Sequence, residues 1–185
     1  MDEKENRLVE LVLSGHTEAF EALVRPYRSC LLGLAHRLTG NIEEAKEAGQ
    51  ETLLKAFRYL RSFDREKSFK NWLLGIAVNV CRSLVRARIK AASFDQAFSA
   101  SAPDDPTRLL QDKEMRSHLM DCLELLSSRE REVFLLRDLE QRNIHETAGI
   151  IGCSSLSVRV HLSRARKKLA ERLSGTLRGP REEKP

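Results

Sequence analysis

Apolar side chains recur at steps of three and four residues through both halves of this 185-residue chain. This period places them along one face of an α-helix, whereas a half-buried β-strand would alternate apolar and polar residues. No alternating run bounded by a hairpin turn occurs in the sequence. We therefore predict an all-α protein.

The helical period stops between residues 91 and 107, where Ala, Ser, Asp and Pro predominate and offer little apolar surface to offset the entropy of ordering. Charge changes at the same place. Residues 1–90 carry 16 basic and 12 acidic side chains, and residues 108–185 carry the same numbers. The segment between them carries no basic side chain and three acidic ones. We predict two small helical domains (1–90 and 108–175), joined by a flexible linker over 91–107 and followed by a disordered tail over 176–185.

Residues with strong effects on helix ends mark the boundaries in the first domain. Pro26 should kink or split the first long helix, and Gly40 should end it. The next helix spans 41–60, and its apolar stripe predicts that Phe57 is buried with several small residues. Helix starts are expected at Thr17, at Asn41 with Glu44 three residues later, and at Ser68.

The second domain follows the same rules and ends in a distinctive pair of helices. One helix is predicted over 107–126, and a short helix, IHETAGII, is stopped by Gly152. A long basic helix follows that turn, which predicts a helix-turn-helix. Helix starts are expected at Ser127 with Glu130, at Asn143 with Glu146, and at Ser154 or Ser155. The expected inward stripe of the last helix is Val158, Leu162, Ala165 and Leu169.

The last helix is strongly basic, with six Lys or Arg residues and one acid between Arg159 and Arg172. Its polar face includes Arg159, Ser163, Arg164 and Lys167, which lie away from the apolar stripe. An arginine there can bond a guanine edge with two donors or neutralise a phosphate. A solvated basic face is the alternative, but the preceding short helix and turn favour a DNA-reading element.

A second basic surface is expected on the helix that follows Ser68. Phe63 lies in the loop before this helix, among several cations. An aromatic ring beside amide and cationic side chains can bind an unstacked base and its backbone. The alternative is that Phe63 closes the core. The polar residues opposite the core stripe are Lys70, Asn71, Asn79, Arg82, Ser83 and Arg86.

Other patterns exclude several classes of site. The acidic cluster on 41–60 would need Glu-x-x-His pairs to hold two irons, and no histidine completes one, so a solvated acidic face is favoured. No Gly-rich phosphate loop, HExxH or GxSxG motif occurs, so we expect neither enzymatic activity nor a cofactor. Cys81 and Cys153 lie in helical patterns and are expected to be small core residues rather than redox sensors.

The chain is expected to be intracellular and without a membrane segment. Its first residues, MDEKENR, carry acids and lack the apolar core of a signal peptide. No apolar run approaches the roughly 20 residues that cross a bilayer. The four cysteines form no Cys-x-x-Cys pair, which is typical of reduced thiols in a cytosolic chain.

Two stretches resemble known regions of one family. The order AFEALVRPYRSCLLGLAHRLTG, EEAKEAGQETLLKAFRYLRSF and SFKNWLLGIAVNVCRSLVR resembles the second conserved region of bacterial sigma factors. LSSREREVFLLRDLEQRNIHETAGIIGCSSLSVRVHLSRARKKL resembles their fourth region. With only these two regions joined by a short linker, the chain looks like the extracytoplasmic-function (ECF) subgroup.

The resemblance implies a non-catalytic subunit that binds core RNA polymerase and directs it to promoters. It assigns contact with core polymerase to Glu47, Gln50, Glu51 and Leu54. It assigns melting and reading of the minus-ten element to Phe63, Lys70, Asn79 and Ser83, with Arg82 and Arg86 as nearby cations. It assigns the minus-thirty-five element to a helix over 155–168, with Ser157, Arg159, Val160, Ser163, Arg164 and Lys167.

The same resemblance implies a set of partners, and the sequence departs from the family's usual pattern at two positions. The expected partners are the β′ clamp and β flap of core polymerase, promoter DNA (duplex upstream, single-stranded at the minus-ten element) and an anti-sigma factor, with no insertion of this chain into a membrane. Such a factor could hold the cytoplasmic chain at the inner membrane. Glu47 replaces the usual Asp, and Thr147 stands where an aliphatic residue is usual.

Two other classes of function compete with this interpretation. A self-sufficient DNA-binding repressor would use the first half for dimerisation or effector sensing, and would bind a palindromic site without polymerase. A metal-dependent oxidase of the helical-bundle type would bind iron, against which the missing Glu-x-x-His pairs argue.

Overall fold

The computed structural model describes residues 3–94 and 118–177, and within these ranges the chain is helical, with turns and no β-strand. Residues 3–94 and most of 118–177 belong to two compact units. The prediction of an all-α protein with two helical parts is confirmed. Among the described helices, none is long and apolar enough to cross a bilayer.

The first unit is a bundle in which α3, α4 and α5 pack against one another and α1 packs on α2. Phe69 at the start of α5 is fully buried, together with Leu34 from α3 and Leu23 from α2. The elements are α1 (Glu3–Leu13), α2 (Ala19–Val24), a 3₁₀ turn (Arg25–Tyr27), α3 (Arg28–Thr39), α4 (Ile42–Tyr59), a second 3₁₀ turn (Leu60–Ser62) and α5 (Phe69–Phe94).

Most predicted helix ends in this unit are confirmed. Pro26 splits the first long helix at a 3₁₀ turn, and Gly40 ends α3 with φ of 76°, a left-handed conformation that glycine adopts without strain. Asn41 caps α4 by accepting hydrogen bonds from two backbone N–H groups, at 2.8 and 3.0 Å. The expected reciprocal bond from Glu44 is not formed: the Asn41 N–H donates to Thr39 Oγ1 at 3.3 Å, and the Glu44 carboxylate pairs with Arg88 of α5.

The predicted cap at Thr17 is wrong. The residue before α2 is Glu18, and its side chain makes no capping hydrogen bond. Overlapping turns lead into the helix instead, with the N–H of Ala19 bonded to His16 and that of Phe20 to Thr17. Because backbone carbonyls already accept these N–H groups, the helix starts without a side-chain cap.

The second unit packs α7 against α9. A capping box at Ser127 and Glu130 starts α7, as predicted. The π-helical turn that follows α7 was not foreseen. The elements are α6 (118–124), α7 (Ser128–Phe134), the π-helical turn (Leu135–Leu139), α8 (Ile144–Ile151) and α9 (Ser155–Leu177).

Several predictions fall at the edges of the described ranges. The helix α5 continues to Phe94, four residues into the segment predicted as a linker. The helix predicted over 107–126 ends at residue 124, and α9 continues to Leu177, two residues into the segment predicted as a disordered tail. The rest of the linker, residues 107–117 of that predicted helix, and the tail from 178 lie outside the described residues. Cys81 is buried in α5 as predicted, whereas Cys153 is half-buried in the turn between α8 and α9.

Candidate nucleic-acid interface

The helix-turn-helix is present and is fixed by local hydrogen bonds. Asn143 and Glu146 cap α8 reciprocally, at 2.8 and 2.9 Å. Gly152 turns the chain with φ of 73°. Ser154, rather than Ser155, then starts α9, because its Oγ accepts a hydrogen bond from the backbone N–H of residue 157 at 3.1 Å.

The two faces of α9 divide as predicted. The four residues of the apolar stripe are buried, with Val158 and Ala165 fully enclosed. The opposite face is exposed and carries polar and basic side chains together with two apolar ones, Leu156 and Val160. The exposed members of the predicted set are Arg159, Val160, Ser163, Arg164 and Lys167, and Ser157 is half-buried.

Two of the basic residues of α9 bind acidic residues of other elements in the unit, and Lys167 lies 3.9 Å from Glu171 of the same helix. Arg166 donates to both carboxylate oxygens of Asp138, at 3.0 and 2.6 Å, and this pairing raises the pKa of the guanidinium. Lys168 donates to Glu130 at 2.6 Å, and this ammonium is the main reason why the pKa of Glu130 is lowered. Sequence reasoning missed both pairs because the partners lie 28 and 38 residues apart.

A second polar surface lies on α5. Asn79 is exposed, and its side-chain oxygen accepts a hydrogen bond from Arg82 at 3.1 Å. Ser83 donates to the backbone carbonyl of Asn79 at 3.0 Å, and Arg86 is exposed one turn from Arg82. An amide, a hydroxyl and two cations therefore share one helical face, and Lys70 is half-buried at the start of the helix.

Phe63 does not belong to this surface. It is only 6% exposed and packs against Phe69 and Trp72, with ring centroids 5.5 and 5.0 Å away. The 3₁₀ turn that follows α4 directs the ring inward, where burial of an aromatic side chain stabilises the fold. The alternative that Phe63 closes the core is the correct one, and direct stacking of its ring on a base is not available in this structure.

The loop before α5 carries cations that are already paired. Arg65 lies 2.8 Å from Glu10 of α1, and Lys67 lies 3.3 Å from Asp64. The pKa of Asp64 is lowered, first by a hydrogen bond from the backbone N–H of Glu66 and then by Lys67. These exposed pairs are weak, so the cations can exchange partners with a phosphate at little cost.

The acidic helix α4 presents a mixed face. Glu47 and Gln50 are exposed, Glu51 pairs with Lys55 at 3.3 Å, and Leu54 is 62% exposed. Carboxylate, amide and isobutyl groups at steps of three and four residues lie on one side of the helix. This is the side to which the predicted polymerase contacts belong.

An apolar groove runs beside this face, between α2 and α4. Phe57 was predicted to be buried but is 43% exposed, and its ring meets Phe20 edge-on at a centroid distance of 5.2 Å. The α2 helix covers only part of the Phe57 side chain, and the remainder forms one wall of the groove. The lining residues are Phe20, Glu21, Val24, Arg28, Gln50, Leu53, Leu54 and Phe57.

Family models match both units. The model of Sigma-70 region 2 matches residues 23–90, and that of Sigma-70, region 4 matches residues 116–169. The first match contains α4 and all but the end of α5, and the second contains α7, α8 and the basic part of α9. The chain belongs to the sigma-70 family. Within this family it is an RNA polymerase sigma factor of the ECF type, and hence a transcription initiation factor.

Named relatives of this sigma factor agree with the assignment. It is 28% identical to the RNA polymerase sigma-H factor of Pseudomonas aeruginosa, over 95% of this chain and 97% of that protein. It is 28% identical to the ECF RNA polymerase sigma-E factor of Escherichia coli, over 92% of this chain and 95% of that protein. It is also 32% identical to the ECF RNA polymerase sigma factor SigG of Mycobacterium tuberculosis, over 81% of this chain but only 47% of that longer protein.

Solved structures give the same fold. The sigma factor is similar to RpoE from Bartonella quintana, crystallised with the anti-sigma factor NepR, with a TM-score of 0.69 and 28% identity over 84% of this chain and 96% of that one. It shares the fold of CnrH, which was solved in complex with the cytosolic domain of CnrY. The TM-score is 0.72 and the identity is 24%, over 94% of this chain and 99% of CnrH.

Proposed function

We propose that this ECF sigma factor docks on core RNA polymerase through α4 and reads promoter DNA with two separate surfaces. The observation that carries the proposal is the division of α9, whose apolar stripe is buried while Arg159, Ser163 and Arg164 are exposed. A helix with this division, placed second in a helix-turn-helix, suits the major groove.

The upstream surface reads the minus-thirty-five element. Within the described ranges no ion pair engages Arg159 or Arg164, so both guanidinium groups are available to DNA. Arg159, nearer the start of α9, contacts base edges, and Lys167 contacts the phosphate backbone. The predicted second domain, residues 108–175, carries out this reading and docks on the β flap.

The downstream surface on α5 binds the melted minus-ten strand. Asn79 offers an amide that can bond the edge of a flipped base, and Arg82, Arg86 and Lys70 supply cations for its backbone. Ser83 lies one turn from Asn79 on the same face. The buried Phe63 supports the start of α5 in this arrangement rather than contacting DNA.

The polymerase contact combines charge with an apolar groove. Glu47, Gln50 and Glu51 provide acidic and amide groups for the β′ clamp, while Leu54 and the neighbouring groove accept an apolar side chain. Exposed apolar residues next to polar ones are typical of protein–protein interaction sites.

An anti-sigma factor controls the activity by covering the same face of α4. Support comes from the solved structures of RpoE and CnrH, each determined with a bound partner, which for RpoE is an anti-sigma factor. The chain acts in the cytoplasm as a non-catalytic subunit, and a membrane-anchored anti-sigma factor could hold it at the inner membrane.

The decisive experiment is promoter-specific transcription. Core polymerase is mixed with the purified chain and a library of genomic promoters, and the transcripts are sequenced. We expect new start sites that share an upstream and a minus-ten element. Failure to stimulate any promoter, or tight binding to a palindromic duplex without polymerase, would contradict the proposal and favour a repressor.

A pair of variants then tests the division of labour. Arg159→Ala should weaken discrimination at the upstream element by about 1–3 kcal/mol while leaving affinity for core polymerase unchanged. The matched control, Arg7→Ala, removes the same charge from an exposed site on α1 and should keep full discrimination. Equal loss of polymerase affinity in Arg159→Ala would contradict the assignment.

A further inference from the structure

Two exposed apolar residues lie at the start of α9. Leu156 is 68% exposed and Val160 is 40% exposed, although both belong to the helix that carries the basic face. They are four residues apart and therefore share one face of the helix. Leu156 is the second residue of α9, in the turn that Ser154 caps. In a helix-turn-helix, this end of the second helix points at base edges.

The pair lies opposite the core. With 3.6 residues per turn, Leu156, Val160, Ser163 and Lys167 follow one ridge on the side of α9 away from the buried stripe. Arg159 lies on one flank of this ridge and Arg164 on the other. The apolar pair is therefore bordered by cations.

This combination identifies the chemistry of the ligand. The C5-methyl of thymine is the apolar group that base pairs present in the major groove of DNA, and flanking arginines match the phosphates or guanines around it. A rise of about 1.5 Å per residue separates Leu156 from Val160 by about 6 Å along the helix. Bases on one strand are about 3.4 Å apart, so the two contacts fall within about two base steps.

We propose that Leu156 and Val160 read thymine methyl groups at one or two neighbouring positions of the upstream promoter element. The proposal deepens the proposed function and rests on it. It adds Leu156 to the residues that set promoter choice and gives Val160 a specific chemical role.

The test measures the methyl group directly. Holoenzyme assembled from core polymerase and the full chain selects promoters from a pool with a randomised upstream element. We expect thymine to be enriched at one or two adjacent positions. Each such thymine is then replaced by deoxyuridine, which keeps base pairing but lacks the methyl. Binding by the wild type should weaken by about fourfold, the effect of withdrawing one methyl from apolar contact.

Alanine variants connect this penalty to the side chains. In Leu156→Ala the deoxyuridine penalty should vanish at one position, and in Val160→Ala at the same or the neighbouring position. Leu173→Ala is the matched control, because Leu173 is 57% exposed on the same helix but lies near its other end, and it should keep the full penalty.

The outcomes separate the two proposals. If the wild-type holoenzyme enriches no upstream sequence, the proposed function fails and this inference fails with it. If it enriches a sequence but Leu156→Ala keeps the deoxyuridine penalty, only the methyl contact is overturned. The methyl contact is equally overturned if Leu156→Ala lowers transcription to the same extent on every upstream sequence, which would indicate a protein partner.

Discussion

Asp138 binds Arg166 through two parallel hydrogen bonds, of 3.0 Å to Nε and 2.6 Å to Nη2, and so ties the π-helical turn to α9. The guanidinium therefore braces α9 against the π-helical turn. This separates the basic residues of α9 into those that stabilise the unit and those that are available to a nucleic acid.

Arg166→Ala should lower the free energy of unfolding of the second unit by about 0.5–1 kcal/mol, because the pair is bidentate but partly exposed to solvent. Arg164→Ala should leave stability unchanged and reduce the salt dependence of promoter binding by about one unit of slope. Urea unfolding and binding at several salt concentrations measure the two effects. A reversed pattern would show that Arg166 contacts DNA.

Leu54→Arg should weaken affinity for core polymerase by at least tenfold, because it places a charge on the apolar wall of the groove. Ile89→Arg is the matched control, since Ile89 of α5 is similarly exposed, at 60% against 62%. Affinity is measured by competition for fluorescently labelled core enzyme. Retained affinity in Leu54→Arg would remove α4 from the docking surface.

Asn79→Ala should slow open-complex formation at the promoter more than it weakens duplex binding, because the amide is offered to a base only after the strands separate. Permanganate reactivity of melted thymines reports this step. Arg159→Ala is the reciprocal comparison and should weaken duplex recognition instead. Unchanged permanganate reactivity in Asn79→Ala would exclude a role in melting.

Features that depend on neighbouring residues were predictable from the sequence. The capping pair Asn143 and Glu146, the split at Pro26 and the left-handed turn at Gly152 each involve groups within about four residues of one another. Local sterics and hydrogen bonding decide such features before any tertiary contact forms. For the same reason, the helical period identified the outward face of α9 correctly.

Features that depend on how helices pack were not predictable. Arg88 of α5 donates to the Thr39 carbonyl and to Glu44, both more than 40 residues earlier, and no local pattern indicates these partners. Phe63 and Phe57 are aromatic residues in similar apolar patterns, yet Phe63 is buried and Phe57 is 43% exposed. Only the placement of α2 and the 3₁₀ turn distinguishes them, and no local period encodes that placement.

Thr147→Val should raise the stability of the second unit by about 1 kcal/mol. The Thr147 side chain is fully buried in α8, and its Oγ1 has no hydrogen-bond partner among the described residues. Removing an unsatisfied buried hydroxyl recovers its desolvation cost. Thr52→Val is the matched control and should destabilise, because the equally buried Thr52 donates to the Ala48 carbonyl at 2.6 Å. Thermal unfolding of both variants measures the difference.

The pairing of Glu130 with Lys168 predicts how acid affects the second unit. Because the pKa of Glu130 is lowered in the folded chain, the ionised carboxylate contributes stability that is fully present above about pH 4.3, the ordinary value for glutamate, and is lost as the pH falls through the lowered folded value. Glu130→Gln removes this contribution. The variant should therefore be less stable than the wild type at pH 7, by about 1–2 kcal/mol.

The gap between the two proteins should narrow below about pH 4, as the wild-type carboxylate takes up its proton. Glu124→Gln changes an exposed glutamate on α6 and should follow the wild-type curve. Urea unfolding from pH 7 down to pH 3 measures all three proteins. A gap that stays constant over this range would show that the Glu130 carboxylate stabilises the unit through packing rather than through its charge.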